Sequence, residues 1–149
     1  MSEDEKWMQI AINEAYKAAD ENEVPVGAII VKDNKLIAKA HNQPIFKNDP
    51  TAHAEIQSIK LAGEKLQNYR LTNTILYVTL EPCSMCLSAM MHARIKRLVY
   101  GAHDPKTGVC GSCEDLRNAK FFNHNIDIIG GVSVLECSSL MQKFFKSLR

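Results

Sequence analysis

The stretch Thr74-Ile75-Leu76-Tyr77-Val78-Thr79-Leu80-Glu81-Pro82-Cys83-Ser84-Met85-Cys86 decides the architecture. Its first seven residues read as a strand, and from Pro82 to about Ala93 the pattern turns helical, so a strand feeds directly into a helix. Working upstream, Val24 to Val31 is apolar and rich in β-branched residues, a buried strand. Asp33-Asn34 separates it from Leu36 to Ala40, and the pair reads as an antiparallel hairpin of unspecified turn type. Ahead of the hairpin, Ser2-x-x-Glu5 is a capping box opening a helix with Met8, Ile12, Ala15 and Ala19 on one stripe. Pro50-Thr51 announces a second helix carrying Ala52, Ile56, Ile59 and Ala62, with Gly63 as its stop. Downstream, Arg97 to Gly101 is a strand, a long polar loop runs to about Asn125, and Ile126 to Ile129 is a short strand. Ser133-x-x-Glu136 caps a final helix with an apolar face of Val134, Leu140, Met141, Phe144, Phe145 and Leu148. The expected fold is α/β: a mixed sheet of about five strands sandwiched by helices in three α/β/α layers.

The chain has 149 residues, which predicts one domain over 1–149. Hydrophobic residues make up 46% and charged residues 23%, ordinary globular usage, and no apolar run approaches the ~20 residues of a membrane span. The acidic start Ser2-Glu3-Asp4-Glu5-Lys6 lacks the features of a signal peptide, so a cytoplasmic protein is expected. Eighteen basic against 17 acidic residues give a net charge of +1, which neither demands nor excludes nucleic acid. Five cysteines, an odd number, argue against a disulfide framework and make metal binding the first question.

Cys83 and Cys86 lie three apart at a helix start, where the dipole favours the thiolates that zinc needs. His53, in the opening turn of the preceding helix, is the best third ligand. Two cysteines and one histidine leave tetrahedral zinc an open position, the mark of a catalytic rather than a structural site. Water in that position has its pKa lowered to roughly 7. Glu55 would face roughly 200° away from His53 on a regular helix. At a helix mouth the two can converge, and Glu55 is then placed to move protons without binding the metal.

His53-Ala54-Glu55 with Pro82-Cys83-x-x-Cys86 matches the zinc deaminase signature. Glu23-Val24-Pro25-Val26-Gly27-Ala28, Asp49-Pro50-Thr51-Ala52, Leu66-Gln67-Asn68-Tyr69-Arg70-Leu71, Leu76 to Glu81, Gly101-Ala102-x-Asp104 and Phe122-Asn123-His124 extend the likeness. Over most of its length the chain resembles the bacterial tRNA-specific adenosine deaminases, within the cytidine-deaminase-like superfamily. The resemblance implies hydrolytic conversion of adenosine to inosine at the wobble position of a tRNA anticodon. It implies a homodimer with one zinc ion per chain, and Glu55 as the proton shuttle. By similarity Asn42 holds the flipped base, Asp104 and Lys106 lie in a loop facing the RNA, and Phe144, Phe145 and Arg149 approach it near the end of the chain. The chain departs from the family pattern where Cys113-Glu114-Asp115 follows Gly111-Ser112, which bears on the RNA-facing loop and not on the metal ligands.

Other readings stay open at this level. Cys110-x-x-Cys113 with Cys83-x-x-Cys86 makes a four-cysteine structural zinc module, although the gap between the pairs exceeds the about 15–20 residues of that pattern. Otherwise Cys110 and Cys113 are plain loop thiols and Cys137 a packed helix residue. A guanine or nucleoside deaminase acting on a small molecule would use the same zinc chemistry. Asn42 can cap or turn the chain, and Phe144 and Phe145 can bury against the sheet. Arg94, Lys96 and Arg97 read as a solvated basic cluster, and His41, His92, His103 and His124 as structural or surface residues.

Overall fold

The computed structural model describes residues 1–148. Helix α1 (Glu3–Asp20) opens with the expected capping box: the Ser2 hydroxyl accepts from the Glu5 N–H, and Glu5 reaches back to the Ser2 N–H, each at 3.1 Å. Its buried stripe is Met8, Ala11, Ile12, Ala15 and Ala18, so Ala18 takes the place expected for Ala19. Strands β1 (Gly27–Lys32) and β2 (Lys35–His41) form the hairpin. The strand begins later than Val24 because Val24 and Val26 are joined by a tight turn, with the Val26 N–H donating to the Val24 carbonyl. Asp33 and Asn34 both have positive φ, 50° and 59°, the two-residue turn whose twist matches a right-handed hairpin.

A one-turn helix unforeseen in the sequence, α2 (Pro44–Lys47), follows β2 with Pro44 in its first turn. Helix α3 (Ala54–Leu66) starts after His53 rather than at Pro50-Thr51, and runs past Gly63 to end on Gln67 in the left-handed region. Strand β3 (Thr74–Leu80) leads to α4 (Ser84–Ala93). Pro82 therefore lies just outside the helix, not in its first turn, and Cys83 is the N-cap. Strands β4 (Arg97–Ala102) and β5 (Asp127–Ile129) and helix α5 (Val134–Ser147) complete the chain. The expected cap at Ser133 does not form: that residue is left-handed, φ 54°, and its side chain accepts no helix N–H.

The five strands lie in the order β2-β1-β3-β4-β5, with β1 antiparallel to both neighbours and β3, β4 and β5 parallel. Alternation across the pleat sorts the core into two layers. Ile29, Val31, Tyr77 and Val99 face α1 and α5, whereas Ala28, Ile30, Leu76, Val78, Leu98 and Tyr100 face α3 and α4. This is the α/β/α sandwich. Helix α1 sits so close that a Cβ on Gly27 would fall 2.0 Å from the Ala11 carbonyl oxygen, and a Cβ on Gly101 would meet Cys137 of α5. Among the described residues no helix is long and apolar enough to cross a membrane.

Parallel strands put their carboxyl ends, and the turns after them, on one edge. The turn Glu81-Pro82-Cys83 after β3 and the loop after β4 emerge there together.

Candidate metal centre and active site

His53 is the N-cap of α3 and Cys83 the N-cap of α4, both with extended backbone. Neither side chain caps its own helix, so both are free to point across the gap between the two helix mouths. His53 Nδ1 lies 3.7 Å from Cys83 Sγ and 3.4 Å from Cys86 Sγ. Tetrahedral zinc with Zn–S of about 2.3 Å and Zn–N of about 2.0–2.1 Å separates sulfur from nitrogen by about 3.6 Å. The donor set fits such an ion. The three ligand atoms form the one His/Cys/Asp/Glu group suited to a metal among the described residues. Cys86 is fully buried in the third helical position, where a residue and its N-cap converge on the first turn.

The three donors strongly perturb one another. Cys83 is drawn down to about 4 by the Cys86 thiol, against the cost of burial and with help from His53. Cys86 is pushed up in turn by Cys83, and the thiolate at Cys83 raises His53. The Cys86 backbone N–H, in the first turn of α4, adds to the stabilisation of the Cys83 thiolate.

Glu55 is 4% exposed in the first turn of α3. Burial pushes its carboxyl up to about 7, opposed by a backbone hydrogen bond and His53. Because His53 stands outside the helix proper, the opposing directions expected from helical spacing do not apply, and Glu55 shares the pocket with the ligands. Asn42 is also buried, and its Oδ1 accepts the Ala54 N–H at 2.7 Å. It supplies the cap of α3 that His53 does not, and its amide nitrogen retains two donor hydrogens for another partner.

Part of the remaining expected set lies in a groove of about 990 Å³ between the loop after β4 and helix α5, whose lining does not include Phe144. Asp104, Lys106, Phe145 and Lys146 line it. Asp104 is occupied within its loop, accepting from the Lys106 and Thr107 N–H groups and the Thr107 hydroxyl. Lys106 is exposed. The two aromatics divide: Phe144 is half-buried, while Phe145 is 46% exposed on the groove, their rings edge-to-face at 5.4 Å. Arg149 lies outside the described residues.

Cys110 and Cys113 are not part of the metal group, which removes the four-cysteine module. Cys110 is no plain loop thiol but is buried in the core, and only Cys113 is exposed. Cys137 packs against Gly101 as a buried helix residue. Of the basic cluster, Arg97 is bound to Asp4 and Arg94 to Asn123. Sequence reading missed three buried carboxylates, Glu14, Glu23 and Glu81, the first of them paired with Lys17. Glu23 accepts the Ile45 and Phe46 N–H groups and so anchors α2. Glu81 gathers the loop after β4. The signal for Glu81 was a charge immediately following a buried strand, which requires several donors.

This combination of sandwich, helix-mouth Cys₂His group and buried glutamate is that of a nucleobase deaminase. The chain belongs to the MafB19-like deaminase family, whose model matches residues 2–149, and within it to the tRNA-specific adenosine deaminases. The tRNA-specific adenosine deaminase of Haemophilus influenzae is 46% identical over 98% of this chain and 85% of its own length. A solved structure from studies of A-to-I editing by tRNA:A34 deaminases at the wobble position of transfer RNA superposes with a TM-score of 0.86. It is 42% identical, over 91% of this chain and 98% of that one. The guanine deaminase from Nitrosomonas europaea superposes with a TM-score of 0.83 over 97% of this chain and 85% of its own, at 20% identity, and shares the fold alone.

Proposed function

We propose that the protein deaminates adenosine to inosine at the wobble position of a tRNA anticodon, with one zinc ion per chain held by His53, Cys83 and Cys86. The observation that carries the chemistry is the buried carboxyl of Glu55 beside a three-donor group with zinc dimensions. The relatives' names carry the substrate. When bound, zinc acidifies water to near neutrality and so provides a nucleophile for C6 of the adenine ring. Glu55 takes the proton released as water adds, delivers it to the ring nitrogen next to C6, and then moves the proton of the new C6 hydroxyl to the amine, which leaves as ammonia while C6 becomes a carbonyl. A buried carboxyl within the same pocket as the donor group is placed to accept and donate in one turnover. Asn42 keeps its amide nitrogen for the base while its oxygen stays on Ala54.

The groove, which none of the metal donors lines, offers contacts for a single strand outside the metal pocket. Lys106 and Lys146 supply cations for phosphate, and Phe145 offers an exposed ring on which a base can stack. A homodimer and a cytoplasmic location belong to the same reading. The test is a substrate panel: an anticodon stem-loop with adenosine at the wobble position against free guanine, adenosine and cytidine, with zinc measured on the same sample. Inosine on the stem-loop alone is expected. Turnover confined to free bases or nucleosides overturns the RNA reading.

A further inference from the structure

Glu81 links the metal-bearing turn to the loop that lines the groove. It stands two residues before Cys83, and its side chain is fully buried. Every hydrogen bond to its carboxylate comes from the segment 104–112. Oε1 accepts the Asp104 N–H at 3.1 Å and the Ser112 hydroxyl, and Oε2 accepts the Cys110 N–H at 2.9 Å and the Ser112 N–H at 3.2 Å. His103 Nδ1 lies 3.8 Å from Oε1. The backbone adds two ties: the Glu81 N–H donates to Ala102, and the Pro82 carbonyl accepts the Val109 N–H. Gly108 passes so near that a Cβ there would lie 2.5 Å from the Glu81 carboxyl carbon, so only glycine allows the loop to wrap this closely.

One buried carboxylate therefore fastens three separate points of the loop. Three of the four donors are backbone N–H groups that would otherwise need water, and an anion accepting several N–H bonds holds them more firmly than a neutral group would. We propose that Glu81 is a positioning residue, which holds the loop carrying Asp104 and Lys106 in fixed register with the Pro82-Cys83 turn and so places the RNA strand relative to the metal pocket. The RNA half of this inference rests on the function proposed above; the clamp itself does not.

The test uses the zinc-loaded full chain with Glu81→Gln, which keeps the shape but turns one acceptor into a donor facing two donors. Ser112→Ala, which removes a single exposed donor, serves as a milder variant should Glu81→Gln fail to fold. In Glu81→Gln the amides of Asp104, Cys110 and Ser112 should exchange with solvent about tenfold faster while those of α1 and α3 are unchanged. On the stem-loop, KM should rise about tenfold with kcat within about threefold and zinc content unchanged. Ser112→Ala should move the same readouts less, and adding it to Glu81→Gln should add little. Unchanged exchange in the loop, or a fall in kcat at constant KM, overturns the proposal. A wild-type protein inert on the stem-loop instead refutes the proposed function, and the exchange measurement then decides the clamp by itself.

Discussion

Asn42 and Ala54, twelve positions apart, are joined by a 2.7 Å hydrogen bond that makes a residue at the end of one strand the cap of the helix bearing Glu55. The same bond sets the direction of the His53 backbone, since His53 lies immediately before the capped amide. The residue proposed to hold the base and a proposed metal ligand are thereby held by one contact.

Substitution separates the two uses of Asn42. Asn42→Ala should cost about 1 kcal/mol of stability, the loss of an N-cap, and reduce kcat/KM. Asn42→Asp retains the accepting oxygen at a helix N-terminus, so melting should stay close to wild type. Its kcat/KM should still fall about tenfold through loss of the amide donor. Thermal melts alongside stem-loop kinetics check both. An Asn42→Asp variant with full activity would remove the amide from substrate binding.

Glu55→Ala and Glu55→Gln should retain zinc, because the carboxylate is not among the three donor atoms. Turnover should drop by about 10²–10⁴, the range for losing a positioned acid–base group. Zinc stoichiometry and single-turnover inosine formation measure this. Loss of the metal in either variant would make Glu55 a ligand.

Removing the metal should loosen α3 and α4 together, since the donors come from both helix mouths. Chelation should lower Tm, more at neutral than at acidic pH, because protonation of thiol and imidazole competes with the ion. Alanine at Cys110 and Cys113 should leave zinc content unchanged; loss of the zinc would restore the four-cysteine module.

Asp4 should carry an acid-sensitive part of the stability. Arg97 holds its carboxyl below the usual value, at 2.7 Å and 2.9 Å through two guanidinium nitrogens, with the Tyr77 hydroxyl adding a third hydrogen bond. A depressed native pKa means that the unfolded chain binds more protons near the ordinary value of 3.8, so stability falls as pH drops through that range. Asp4→Asn should therefore be less stable than wild type at pH 7, by about 1 kcal/mol for a partly exposed pair. The difference should shrink below the ordinary carboxyl value. Urea titrations of both proteins at neutral and acidic pH give the comparison, and a difference independent of pH would contradict it.

Local chemistry makes much of this protein readable from its residues alone. The β3-to-α4 switch at Glu81-Pro82, the Ser2 capping box and the alternating strands depend on neighbours along the chain, and each formed nearly where the residues put it. His53, Glu55, Cys83 and Cys86 could be singled out because zinc demands particular donors at short spacing. What the sequence left undecided was set by contacts between distant segments. His53 stands at an N-cap where Asn42, from the end of β2, takes the Ala54 N–H, and the Asp33-Asn34 turn takes its left-handed form from the twist of two paired strands. Glu81 became the anchor of a loop more than twenty positions away because parallel strands carry their ends to one edge, where a buried carboxylate must find its donors wherever the fold delivers them.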